Sequence, residues 1–179
     1  MDGVIVDSMP LQYESYKRAL SEENISITEE EFFLYAGKQG KKLLQDIMNI
    51  KNVSFDIKKV YDKKNKIYRE LLKDIKTFPD IIKLINVFIG KYKLALVSTS
   101  SIVNISIILD KLNLKAKFNV ILGAEDADRG KPSPDIFLKA ASRLGALPAE
   151  CIVFEDSNYG IEAAKRAGME YIRVIKGRL

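Results

Sequence analysis

Cys151-Ile152-Val153-Phe154-Glu155-Asp156-Ser157-Asn158-Tyr159-Gly160-Ile161-Glu162-Ala163-Ala164 passes from a short apolar run, through two adjacent acids and a hydroxyl residue, into helical periodicity. An apolar run of that length, rich in β-branched residues, reads as a buried strand, and Ser157 reads as the cap of the helix that follows. The same alternation extends in both directions. Leu94-Ala95-Leu96-Val97 precedes a helical pattern at 103–112, Phe118-Asn119-Val120-Ile121-Leu122 precedes one at 134–144, and Tyr171-Ile172-Arg173-Val174-Ile175 follows one at 160–167. The order βαβαβαβ predicts an α/β fold, a doubly wound (Rossmann-like) parallel sheet with helices on both faces. Gly3-Val4-Ile5-Val6 reads as a strand end or turn. If it feeds the same sheet, everything from about 10 to 79 is an insert after the first strand.

That insert reads as helix throughout. Tyr13, Tyr16 and Leu20 recur at helical spacing, Thr28 with Glu31 forms a capping-box signature for a helix ended by Gly37, and a third helix begins at Lys41. The longest follows Ser54, with Ile57, Val60, Tyr61, Ile67, Tyr68, Leu71, Leu72 and Ile75 on one face and lysines on the other. Another helix starts at Pro79. The chain therefore divides into an α/β core, residues 1–9 and 80–179, and a helical unit, residues 10–79. Its 179 residues suit one domain with a small insert.

Composition narrows the chemistry. Histidine is absent, which excludes Ser-His-Asp and Cys-His activation and every His-ligated metal site. The lone Cys151 reads as a small buried hydrophobe in a reducing, cytoplasmic setting. A net charge of +5 raises nucleic acid as a partner, but the 22 lysines outnumber the 7 arginines and no nucleic-acid motif accompanies them, so none is expected. No apolar stretch is long enough to span a bilayer, and the N-terminus has no signal-type segment, so no membrane partner is expected. Oligomeric state is not legible.

Ligands of open α/β sheets bind beyond the carboxyl ends of the strands. The residues gathered there are Asp2 and Asp7, then Ser98, Thr99, Ser100 and Ser101, then Gly123, Glu125 and Asp126 with Lys131 further on, then Glu155, Asp156 and Ser157. Carboxylates without histidine suit Mg²⁺, a hydroxyl-rich turn ahead of a helix suits an anion, and a lysine supplies a point charge for phosphate oxygens. Structural alternatives exist for each: Ser98–Ser101 and Asp156-Ser157 as helix caps, Lys131 as a solvated loop residue. Two adjacent acids at a strand end repel, and a bound cation relieves them. Together the set fits phosphoryl transfer.

Four stretches in order, Met1-Asp2-Gly3-Val4-Ile5-Val6-Asp7-Ser8, Leu94-Ala95-Leu96-Val97-Ser98-Thr99-Ser100, Gly130-Lys131-Pro132-Ser133-Pro134-Asp135-Ile136-Phe137, and Val153 through Ala164, resemble the signature motifs of the haloacid dehalogenase-like hydrolases, in the phosphatase and β-phosphoglucomutase branch. The resemblance covers nearly the whole chain and makes residues 10–79 a helical cap. It implies Asp2 as general acid and base, Ser98, Thr99 and Lys131 as binders of the transferring phosphoryl group, and Glu155 with Asp156 as Mg²⁺ ligands, helped by the backbone carbonyl of Asp2. It also implies a nucleophilic aspartate that forms an aspartyl phosphate.

In the family pattern Asp-x-Asp-Gly, Met1 occupies the x, so the nucleophile falls immediately before the first residue, as does most of the first strand. Losing a central strand outright costs more than a domain's net stability of about 5–15 kcal/mol unless something replaces it. The intact remaining motifs favour a truncated form of an active enzyme over a decayed copy. In the cap, Ala36-Gly37-Lys38-Gln39-Gly40-Lys41-Lys42 resembles the substrate-facing loop, with Lys38 and Lys41 as candidate substrate contacts. Mutase members show Arg in that loop and His soon after the first motif. Here Lys38, Lys41 and Lys42 replace the one and Gln12 stands near the other. The expectation is a Mg²⁺-dependent phosphatase of a small phosphorylated metabolite, ahead of a phosphosugar mutase or a catalytically inactive phosphate-binding module.

Overall fold

The computed structural model describes residues 1–35 and 38–178. Ala36 and Gly37, where the sequence reading ends the second helix, lie outside the described residues. The helical unit consists of α1 (Met9–Ser21), α2 (Glu29–Tyr35), α3 (Gly40–Lys51) and α4 (Ile57–Leu71). Its boundaries follow local chemistry. Pro10 sits in the first turn of α1, where its missing N–H costs nothing. Glu31 N donates to Thr28 Oγ1 at 3.2 Å while Thr28 N donates to Glu31 Oε2 at 2.9 Å, the reciprocal capping box read from sequence. Asp56 caps α4 by accepting from Lys59 N at 3.0 Å, and α3 closes on Asn52 in the left-handed region, φ 50°. The apolar faces meet in a core of their own, built on Tyr16, Leu20, Phe32, Leu44, Ile47 and Val60. Residues such as Leu20 and Leu44, fully buried, contribute about 1.5–3 kcal/mol each.

The chain enters and leaves this unit through two short strands, β1 (Val6–Asp7) and β2 (Lys76–Thr77), paired antiparallel with Val6 opposite Thr77. For the N-terminal run, read as a strand end or turn, the turn holds, and the run does not feed the parallel strands. Gly3–Ile5 is a turn, with Gly3 at φ +68° and Ile5 N donating to Met1 O at 2.8 Å, so the chain reverses before it joins any parallel sheet. Val4, Ile5 and Val6 are buried against Tyr68, Ile105 and Ile108 instead.

The remainder alternates as read: α5 (Pro79–Phe88), β3 (Ala95–Val97), α6 (Ile102–Lys111), β4 (Val120–Leu122), α7 (Asp135–Leu144), β5 (Ile152–Glu155), α8 (Asn158–Arg166) and β6 (Glu170–Arg173). β3 pairs parallel with β4, Leu96 opposite Ile121, and β5 pairs parallel with β6, Val153 opposite Tyr171. Among the described residues the two parallel pairs are not hydrogen-bonded to each other. An apolar channel of about 660 Å³, lined by β3, β5, α5 and α7, lies between them. Not every strand is buried as the apolar runs suggest: Ile152 is 59% exposed and β6 is exposed along its length. β6 is an edge strand, and β5 has a partner on one side only.

Candidate active site

Two of the parallel strands, β3 and β5, end in turns that deliver polar side chains to one place. Beyond β3, Ser101 is the helix cap, accepting from Asn104 N at 3.4 Å. Ser98 and Ser100 face elsewhere: both hydroxyls donate to Asp2 Oδ2 at 3.0 Å, and Ser98 Oγ also accepts from Ser100 N at 3.1 Å. The other oxygen, Asp2 Oδ1, accepts from Ser8 Oγ at 2.5 Å, Tyr68 Oη at 3.3 Å and Gln12 Nε2 at 3.5 Å. Burial pushes the Asp2 carboxyl up, but the Met1 amino group and the hydroxyls of Ser8, Ser100 and Ser98 outweigh it and hold it below the usual carboxylate range.

Beyond β5, Glu155 is buried and paired with Lys131, Nζ to Oε2 at 2.8 Å, the two side chains 9% and 5% exposed. Burial pushes Glu155 up, yet the Lys131 charge, the Met1 amino group and hydrogen bonds from Lys131 and Ser157 hold it ionised. Lys131 also sits 4.9 Å from the Phe137 ring centroid. It is no solvated loop residue. Asp156 differs. Burial, together with the neighbouring Glu155 charge, pushes it up to about 6. Ser157 accepts from Gly160 N at 3.0 Å as the cap of α8, and it also donates to Glu155 Oε1 at 2.7 Å. Two glycines make room for the acids: a Cβ on Gly3 meets Asp156 Oδ2 at 1.9 Å, and one on Gly160 meets Glu155 Cδ at 2.1 Å.

Asp2, Ser98, Thr99, Lys131, Glu155 and Asp156 all line one polar cavity of about 90 Å³ between the strand ends and the helical unit. Two groups that the sequence reading did not assign line it as well. Lys64 on α4 is buried, its ammonium bonded to Gln12 Oε1 and 4.7 Å from the rings of both Tyr16 and Tyr68. Burial, opposed by Asp2 and assisted by Arg69, pushes Lys64 down to about 7. The expectation of lysines on the solvated face of α4 thus fails at this position. The signal was present, since Val60, Lys64, Ile67 and Tyr68 share one helical stripe. Gln12 is read the same way, four residues before the buried Tyr16.

The cap candidates separate. Lys38 lines the cavity, held by Asp46 at 2.6 Å and lying 4.9 and 5.2 Å from the rings of Tyr35 and Tyr159. Lys41 is exposed, 5.7 Å from the Tyr61 ring, and does not line the cavity. Glu125 and Asp126 are structural: Glu125 Oε2 accepts from Ile102 N at 3.0 Å, and Asp126 Oδ2 from Gly123 N at 3.0 Å. Cys151, expected as a buried hydrophobe, is half-buried at the apolar channel, its thiol donating to Leu147 O.

The donor set is oxygen only. No closed cluster of three or more acidic or sulfur side chains stands ready for a metal among the described residues. The adjacent Glu155 and Asp156 nevertheless fit a hard cation that takes the rest of its shell from backbone, substrate and water, because the raised Asp156 is a carboxyl that burial and a like charge leave under-compensated.

The chain is 32% identical over 176 residues to a phosphorylated carbohydrates phosphatase of Thermotoga maritima, covering 96% of this chain and 81% of the relative. It is 26% identical to fructose-1-phosphate phosphatase YqaB of Escherichia coli, covering 97% and 93%. Among solved structures, a β-phosphoglucomutase from Clostridium difficile superposes with a TM-score of 0.88 at 28% identity, covering 96% of this chain and 80% of that one. The family model described as haloacid dehalogenase-like hydrolase matches residues 1–174, and with the four motifs converging on one cavity the chain belongs to the haloacid dehalogenase-like hydrolase family.

Proposed function

We propose that the chain is a Mg²⁺-dependent phosphatase of a small phosphorylated metabolite, with residues 10–79 as a cap over a core of residues 1–9 and 80–179. The observation that carries this reading is the convergence of Asp2, Ser98, Lys131, Glu155 and Asp156 on one cavity. Asp2 acts as general acid and base. Its two oxygens are fixed by five donors, which hold the carboxyl at one place in the cavity, where proton transfer to a leaving oxygen and from water is proposed. Ser98 and Thr99 receive the phosphoryl oxygens, and Lys131 supplies the compensating charge in the transition state. Glu155, Asp156 and the Asp2 carbonyl would hold Mg²⁺, which when bound would neutralise phosphoryl charge. The acceptor is the family's aspartate at the position immediately before Met1, and the intermediate is an aspartyl phosphate.

Lys38 is the cap contact to substrate, in preference to Lys41. Small-molecule pockets commonly measure ~300–1,000 Å³, and this cavity holds about 90 Å³, so a sugar-sized substrate enters only when the helices part from the core. The cytoplasmic setting favoured by the lone Cys151 belongs to the same proposal.

The test extends the chain by an apolar strand ending in aspartate directly before Met1, then measures phosphate release from sugar phosphates and an aryl phosphate with Mg²⁺ or EDTA. Mg²⁺-dependent release is expected. A folded, extended chain inactive on every ester overturns the reading, and isomerisation of one sugar phosphate without phosphate release assigns a mutase instead.

A further inference from the structure

We propose that Asn104 is a positioning residue, which couples the turn at Ser98–Ser101 to helix α4 so that phosphoryl binding and the docking of α4 on the core strengthen each other. The proposal rests on the reading of Ser98 and Thr99 as receivers of the phosphoryl oxygens and adds to it a residue outside their turn.

Asn104 stands in the first turn of α6, where its N–H donates to the cap Ser101 Oγ at 3.4 Å. Its side chain reaches across to α4. Oδ1 accepts from Arg69 Nε at 3.1 Å, and Nδ2 donates to Asn65 Oδ1 at 3.1 Å. Asn65 and Arg69 lie one helical turn apart on the same face of α4. Asn104 is 2% exposed and Asn65 6%, so a partner lost from this pair while α4 is docked leaves a desolvated amide unpaired.

The rest of this contact is apolar. Tyr68 of α4 packs with Ile105 and Ile108 of α6, and such packing has no direction of its own. The two amides satisfy each other at one register only, which makes them the element that fixes where α4 sits. At the other end of α6, Lys111 Nζ donates to Leu72 O at 2.9 Å, just past the end of α4. The second half of α4 therefore rides on α6, whereas Val60 in its first half is buried in the helical unit's own core.

The turn is anchored from its other side. Ala124 N donates to Ser100 O at 2.9 Å and Ile102 N to Glu125 Oε2 at 3.0 Å, which ties it to the segment after β4. Asn65 and Asn104 both line the polar cavity. When the helices part from the core to admit a substrate, water takes over both amides, and redocking restores the pair. These two arrangements of α4 give the coupling something to bias, and by linkage the bias acts in both directions.

The experiment titrates inorganic phosphate, in Mg²⁺, into the 179-residue chain and its variants by calorimetry, with amide exchange and thermal melting alongside. Asn104→Leu should bind phosphate about tenfold more weakly, within the range usual for coupled sites. Asn65→Ala should show a similar loss, and the double variant no further loss. Asn104→Asp should restore binding, since its carboxylate accepts from Arg69 and, once the Asn65 amide turns over, from Asn65 as well. Phosphate should slow exchange over residues 65–71 in the parent and in Asn104→Asp, but not in Asn104→Leu. If Asn104→Leu does not fold, Asn65→Ala carries the same comparison. Folded variants that melt earlier yet bind phosphate as the parent does overturn the coupling, as does an α4 whose exchange ignores phosphate. Weak binding by Asn104→Asp makes Asn104 a direct contact of the anion and overturns the positioning role. A parent chain that binds no phosphate overturns the reading of Ser98 and Thr99 and the coupling with it, whereas phosphate binding that ignores Asn104 overturns the coupling alone.

Discussion

The polar cavity and the apolar channel meet at Met1, Val97 and Glu155 and are built on opposite terms. In the cavity, hydroxyls and ammonium groups already have partners: Asp2 is held by five donors and Lys131 by Glu155. In the channel, two strand edges and two helices surround space that no side chain fills. The channel measures about 660 Å³ against about 90 Å³ for the cavity, so the cavity is the more closely packed of the two. The site is thus pre-organised where it does chemistry and under-packed where it is supported. That contrast predicts large penalties for changes in the cavity and small penalties, or gains, for changes in the channel.

The largest effect falls on Asp2. In the chain extended through an aspartate, Asp2→Asn should lower kcat about 10²–10⁴-fold, because the leaving alkoxide departs unprotonated. Steady-state kinetics with an aryl phosphate, whose leaving group needs less protonation, should show a smaller drop than a sugar phosphate does. Equal drops for both would assign Asp2 a structural part only.

Next comes the buried ion pair. Lys131→Met strands Glu155 as an uncompensated buried charge and should destabilise the fold by about 3–5 kcal/mol. Thermal melting should restore most of that in the double variant Lys131→Met/Glu155→Gln. Independent, additive losses would contradict the packing described for the cavity.

A smaller effect, with a sign that depends on pH, belongs to Asp156. Its folded pKa of about 6 lies above the ordinary 3.8, so the folded state holds its proton more tightly than the unfolded chain does. The resulting destabilisation is full above pH 6, fades between about 6 and 3.8, and is absent below. In EDTA, Asp156→Asn should therefore raise the melting temperature at pH 8, by on the order of 2–3 kcal/mol of stability, and leave it unchanged near pH 3.5. Saturating Mg²⁺ should reverse the order at pH 8, since the variant loses a ligand. A variant that binds Mg²⁺ in calorimetry as the parent does removes Asp156 from the metal site.

The smallest effect tests the channel. Extra methyl groups in a well-packed core, two in an Ala→Val change, usually cost about 1–3 kcal/mol. Ala95→Val, on the channel side of β3, should cost nothing or stabilise by up to about 1 kcal/mol. A loss of 2 kcal/mol or more on melting would mean that the channel is tightly packed in solution.

Much of this was legible in the chain itself. The capping box of Thr28 and Glu31, the αβ alternation from Lys93 onward and the four motifs are local: each depends on residues close in sequence, whose backbone preferences and side-chain periodicity act over one or two turns or strands. So the element order and the identity of Ser98, Lys131, Glu155 and Asp156 as cavity residues could be read directly. Lys64 was misassigned because, among so many solvated lysines, its one local mark of burial was passed over. Its place on the Val60–Tyr68 stripe matters only once α4 packs against α1 and Gln12 reaches Asp2.

The sequence by itself determined the strand and helix alternation from Lys93 onward, the helices up to Leu71 but not β2 at Lys76–Thr77, and which polar residues follow each strand, because those follow from short-range sterics and hydrophobic period. Tertiary structure alone decided that Gly3–Ile5 turns back to pair β1 with β2, that Asp156 rather than Glu155 is the raised acid, that Lys38 rather than Lys41 faces the cavity, and that β3 and β5 stand apart across an apolar channel. Each of these depends on which distant groups share a low-dielectric space and which backbone edges find partners, and neither burial nor pairing is written in any single stretch of the chain.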